Sequence, residues 1–212
     1  MSLTATELER GLAYWRTTSW PLDFHNAFYT TMAETNPHGA FDDNWWAGFL
    51  PVLRAWIATR PKGSAFLTPR AQERFAALST AWALCVEPRL GEDIASVEWR
   101  DVAAFPTLVA EIKDVASPVF ASKFCHFLAP PIFPIVDNAA MGNPYATYES
   151  GFNAYRSEWL STGEAVREAL VSRLSALIEE PLAVDFPMTN KVVELCLIGR
   201  NQRTAVREAA TI

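Results

Sequence analysis

Histidine and cysteine are scarce in this chain, with three of each among 212 residues. Cys85, Cys125 and Cys196 share no short spacing, and their odd number argues against a disulfide framework or a zinc knuckle. Each lies inside an apolar helical pattern, where a reduced thiol packs like a small hydrophobe. That usage fits a reducing cytoplasm. His25, His38 and His126 have no ligand spacing to one another or to a cysteine, so no metal is expected. The chain has no P-loop, dinucleotide fingerprint, Gly-x-Ser-x-Gly elbow or His-Glu-x-x-His motif, so no cofactor is expected either. Apolar runs stop well short of the ~18 residues that a membrane span needs. The opening Met1-Ser2-Leu3-Thr4 leads into an amphipathic helix instead of a secretory signal. The expected location is therefore cytoplasmic, with no membrane partner. A basic surplus is also missing: Lys plus Arg total 18, Asp plus Glu total 24, and the net charge is −6. Proteins that live on nucleic acid usually carry a basic face. Here the densest basic cluster is Arg200, Arg203 and Arg207.

What is present is apolar helix. Half of the residues are hydrophobic, and a chain of this size is expected to form a single domain over 1–212 that buries about 70% of its unfolded surface. Thr4 and Glu7 have capping-box spacing ahead of Leu8, Leu12 and Trp15. Asp23 is placed to cap a helix carrying Phe24, Phe28 and Met32. Asp42 and Asp43 precede a long apolar helix kinked near Pro51. Thr68-Pro69 and Ser117-Pro118 each read as a cap followed by proline at the first helical position. Tyr148, Phe152, Tyr155 and Trp159 recur on one face, and Ser161 with Glu164 forms a second capping-box match. The last helix is expected to end near Gly199 as its C-cap. Alternating strand patterns are nearly absent, and Phe133-Pro134-Ile135-Val136 reads as an extended connector. The expected fold is all-α: one globular, orthogonal bundle of about nine or ten short helices.

Most of the eight tryptophans occupy core-facing helical positions. Trp45 and Trp46 are adjacent, and neighbours on a helix point about 100° apart. One of the two is thus free to line a pocket.

The chemistry concentrates between residues 117 and 143. A helix over Pro118–Leu128 places Val119, Phe120, Phe124, Phe127 and Leu128 inside, and it carries Lys123 and His126 three apart, hence as neighbours. Pro130-Pro131 stops it. The chain returns through the connector to Asp137, fourteen residues after Lys123 and placed to cap a short helix over Asn138-Ala139-Ala140. Such a turn-back can bring Asp137 towards the Lys123 face. Lysine attacks as the free amine, and an apolar surrounding favours that form.

This run, with Lys123, then His126-Phe127-Leu128, a proline, Phe133-Pro134-Ile135 and Asp137, resembles the core of the helix-hairpin-helix DNA glycosylase superfamily, including its uncharacterised bacterial 8-oxoguanine-glycosylase-like members. The resemblance covers about 30 residues. It implies a DNA-repair activity on damaged DNA, with Lys123 as the amine nucleophile at the sugar C1′. Asp137 would activate that amine and stabilise the developing oxocarbenium. A target base would leave the stack for a pocket, with Trp45, Trp46 and His126 as binding candidates. The family's hairpin glycines are absent here: the stretch reads Val115-Ala116-Ser117-Pro118-Val119-Phe120. Ser117, at a helix N-terminus, is then the phosphate-binding candidate. Two alternatives stay open: a non-catalytic helical binding module on the same scaffold, and an unrelated helical protein in which the segment only packs.

Overall fold

The computed structural model describes residues 2–18, 26–34, 40–113, 118–142, 145–178 and 181–209. Within them every regular element is a helix, with no strand. Helices α1 (Ala5–Thr17), α2 (Asn26–Glu34), α3 (Asp43–Ala55), α4 (Ser64–Gln72) and α5 (Phe75–Ala81) come first. A π-turn over Trp82–Val86 and a 3-10 turn over Glu87–Arg89 extend α5. Then follow α6 (Trp99–Val102), α7 (Ala104–Ile112), α8 (Pro118–Leu128), α9 (Asn138–Met141), α10 (Tyr148–Ser161), α11 (Glu164–Ser175) and α12 (Met188–Ala209). The all-α expectation holds, with twelve α-helices among the described residues. None of them is long and apolar enough to cross a membrane.

Several starts lie where the residues put them. The Thr4 side chain accepts from the Glu7 amide while Glu7 accepts from the Thr4 amide. Asp42 caps α3 through the Trp45 amide at 2.8 Å. Three expectations do not hold. Pro69 lies inside α4, which starts five residues earlier behind Gly63, and Thr68 instead accepts the Trp46 indole N–H. Ser161 closes α10, and Gly163 precedes α11; the hydroxyl of Thr162 between them accepts from the Leu3 amide. Gly199 is interior to α12, which runs ten residues further. It is a crossing point with α1. The Asp23 cap and Ser117 lie outside the described residues.

The buried apolar side chains form one cluster, reaching from Leu3 to Ile198. Helix α8 lies at its centre, since every residue from Phe120 to Leu128 is buried. An aromatic layer of Trp45, Trp46, Phe49, Phe105 and Phe120 encloses Phe124. Phe28, Phe49 and Trp56 enclose Phe127.

Candidate functional site: the polar seam around helix α8

A helix buried on every side must satisfy its polar side chains inside the protein. Helix α8 does so along two lines. Ser122 and His126, one turn apart, face the connector 130–136. Lys123 and Phe127, also one turn apart, face the end of α3.

The connector crosses the core without a sheet partner, so side chains take over the ladder's role. Asn190 of α12 donates to Pro130 O at 2.8 Å and Pro131 O at 3.0 Å. His126 Nδ1 lies 2.7 Å from Phe133 O. Tyr148 donates to Pro134 O at 3.0 Å, and Tyr155 to Ile135 O at 2.5 Å. The Val136 amide donates to Ser122 Oγ at 3.1 Å. The connector ends at Asp137, whose carboxylate caps α9 through the Ala140 amide at 3.2 Å, while Gly142 closes that helix at φ 60°. The helix–connector–cap order read from the residues is therefore present, with the expected bounds for α8.

His126 is a wholly enclosed residue. A carbonyl only accepts, so Nδ1 carries the proton and Nε2 accepts from the Tyr29 hydroxyl at 3.1 Å. Burial and the nearby Lys191 hold its pKa well below the usual 6.5. The ring is neutral and positions the connector. Lys191 in turn pairs with Glu194 one turn along α12, at 2.6 Å, in the core.

Lys123 is only 3% exposed. Its amine donates to Trp56 O at 2.9 Å. That carbonyl belongs to the C-terminal turn of α3, where the Ala58 amide reaches back to Leu53 O and the Ile57 amide to Arg54 O. The pattern is a Schellman ending, and its left-handed position, at φ 57°, is filled by Ile57. A β-branched residue there costs about 1–2 kcal/mol. Two residues beyond Trp56, Ala58 O accepts the amine of Lys113, the C-cap of α7, at 2.9 Å. Two lysine ammonium groups thus hold the carbonyls on either side of the strained residue, at the negative end of the α3 dipole. Burial, and then the charge of Lys123, lower the Lys113 pKa.

Lys123 and His126 therefore point along different lines of α8, towards α3 and the connector respectively. Trp46 is a core residue with its indole N–H on Thr68. Trp45 is half-buried, stacked on Phe49 at 4.8 Å, and its indole N–H has no hydrogen-bond partner among the described residues. Sequence reasoning missed Lys113, Tyr29, Asn190, Lys191 and Glu194. A signal existed for the last two: a lysine and a glutamate three apart inside the apolar run Val192-Val193-Leu195-Cys196. No group of three or more potential metal ligands occurs among the described residues. Comparison with family models, curated proteins and solved structures finds no match to this chain.

Proposed function

We propose that this chain is a DNA glycosylase-like protein acting on damaged DNA, with Lys123 as amine nucleophile and Asp137 as its carboxylate partner. The observation that carries the reading is a lysine amine held in an apolar interior beside a second ammonium group. It is followed, through a side-chain-braced connector, by a carboxylate at a helix N-cap. Desolvation and a neighbouring cation are the two means by which a lysine becomes nucleophilic near neutral pH. In this scheme the Lys123 nitrogen bonds C1′ as the bond from C1′ to the base nitrogen breaks. The base leaves with that electron pair and takes up a proton. The carboxylate stabilises positive charge developing on the sugar.

The test is borohydride trapping on duplex DNA carrying an 8-oxoguanine or an abasic site. A covalent adduct is expected with the unaltered protein, none with Lys123→Ala, and a slower one with Asp137→Asn. An adduct that survives Lys123→Ala rejects the assignment.

A second reading has its own support. Lys123 is engaged with Trp56 O, and the chain is acidic. A non-catalytic binding module on the same scaffold accounts for both. It predicts salt-dependent retention of DNA with no trapped adduct, or a protein partner where DNA is not retained at all.

A further inference from the structure

Helices α6, α7, α8 and α10 meet around a cavity of about 220 Å³ that opens to solvent. Ala121 of α8 lines it, and Lys123, two residues on, points about 200° away around the same helix. Neither Lys123, His126 nor Asp137 lines this cavity. Two of its walls are aromatic and adjacent: half-buried Trp99 meets Tyr148 at 82°, with ring centroids 5.5 Å apart. Most of its polar groups are committed. The Tyr148 hydroxyl donates to Pro134 O, the Thr107 hydroxyl donates to Ala103 O, and the Thr147 hydroxyl accepts from the Ser150 amide. Glu149 differs. It is exposed, it is the one charged side chain among the described lining residues, and no ion pair or hydrogen bond holds its carboxylate among the described residues.

We propose that this cavity is a binding site for a small organic cation, an ammonium head on a compact apolar body, held by the Trp99–Tyr148 corner and by Glu149 at the mouth. An aromatic face attracts an ammonium through its quadrupole, and tryptophan does so most strongly. A cavity lined by apolar groups alone would take any neutral body that fits. The Glu149 carboxylate adds the discrimination, because it attracts a cation and repels an anion of the same shape. Glutamate in the first turn of a helix also complements the helix dipole, but that role accounts for neither the cavity nor the aromatic corner beside it.

Volume limits the ligand. A cavity of about 150 Å³ holds benzene, so about 220 Å³ holds roughly nine heavy atoms by proportion. A ligand that small binds weakly, with a Kd on the order of 1 mM. Phenethylamine, cationic near neutral pH, has this size and shape. Phenylacetate places the opposite charge on a similar body. The inference goes beyond the glycosylase reading and uses none of its catalytic residues.

The experiment is titration of the full chain with phenethylamine and with phenylacetate near neutral pH, followed by ligand-observed saturation-transfer NMR. Phenethylamine is expected to bind about tenfold more tightly than phenylacetate, the combined effect of attraction and repulsion at one exposed carboxylate. Trp99→Leu is expected to weaken phenethylamine about tenfold. Glu149→Gln is expected to weaken it about three- to fivefold and to bring the two ligands towards equal affinity. Equal affinity of the two ligands for the unaltered protein overturns the proposal, as does no phenethylamine signal at about 10 mM, ten times the expected Kd. Where Trp99→Leu does not fold, Glu149→Gln decides, since its site is exposed: an unchanged ratio between the two ligands overturns the proposal. Borohydride trapping on DNA reads Lys123 and not this cavity, so either test can fail alone.

Discussion

Gly199 lies directly against Gly11: a Cβ built on Gly199 would fall 2.8 Å from the Gly11 nitrogen and 1.9 Å from Glu7 O. The reciprocal Cβ on Gly11 would fall 1.9 Å from Leu195 O. Helices α1 and α12 thus touch backbone to backbone, and neither backbone has a flexible side chain that could yield. Gly199→Ala or Gly11→Ala is expected to cost about 3 kcal/mol or more, read as a lower urea midpoint. Gly48, exposed in α3 with nothing within 4 Å of its Cβ site, is the control. Gly48→Ala is expected to raise stability by about 0.5–1 kcal/mol through helix propensity.

The connector gives a second expectation. Tyr155→Phe strips Ile135 O of its donor, and Ser122→Ala strips the Val136 amide of its acceptor. Each is expected to cost about 1–3 kcal/mol, the desolvation of a buried group left unpaired. Equilibrium unfolding in urea checks this, and a cost below about 0.5 kcal/mol for both would remove these bonds as supports of the connector.

His126 sets a pH dependence. Its folded pKa lies well below 6.5, whereas an unfolded histidine titrates near 6.5. Below that value the unfolded chain binds a proton that the folded chain refuses, so stability falls as pH drops from about 6.5. The slope approaches 1.4 kcal/mol per pH unit once the unfolded imidazole is fully charged. His126→Gln is expected to flatten the difference in urea midpoint between pH 7.5 and 5.5, even where it lowers the midpoint at both. An equal pH dependence in both proteins would place the proton elsewhere.

Cysteine labelling separates the three thiols. Burial raises the pKa of Cys125 well above its usual value and pushes that of Cys196 up to about 12. The thiolate is the reacting form. Cys85 is half-buried. Iodoacetamide at pH 8 is expected to modify Cys85 alone in the folded protein, and all three in denaturant. Mass spectrometry of the intact chain reads this as one adduct against three.

The parts of the fold legible from the residues were those decided within a few positions. The capping box of Thr4 and Glu7, the Asp42 cap and the Asp137 cap depend on hydrogen bonds that reach three residues, and the end of α8 is set by the adjacent Pro130-Pro131 pair. The stripe of Tyr148, Phe152, Tyr155 and Trp159 follows from helical period alone, and all four are buried. The errors share a cause. Thr68, Ser161 and Gly199 each carry a correct local signal for a helix end, and each is overridden by a distant neighbour. The Trp46 indole takes Thr68, the chain start docks beside Thr162, and α1 lies across Gly199.

The candidate site divides the same way. The order of lysine, connector and capping carboxylate is written in fifteen consecutive positions, because proline stops one helix and aspartate starts the next. Which way each side chain points is not. Lys123 and His126 are neighbours on one helix in any arrangement, yet one turns to Trp56 and the other to Phe133 and Tyr29, 67 and 97 residues away for the α3 and α2 partners. The pairing of Lys113 with Lys123 arises only when the end of α3 is brought between α7 and α8. Local hydrogen bonds and periodicity therefore determined the helices and their caps. Burial decided the site, because an ammonium or imidazole shut away from water must take whatever acceptor the packed fold places within reach.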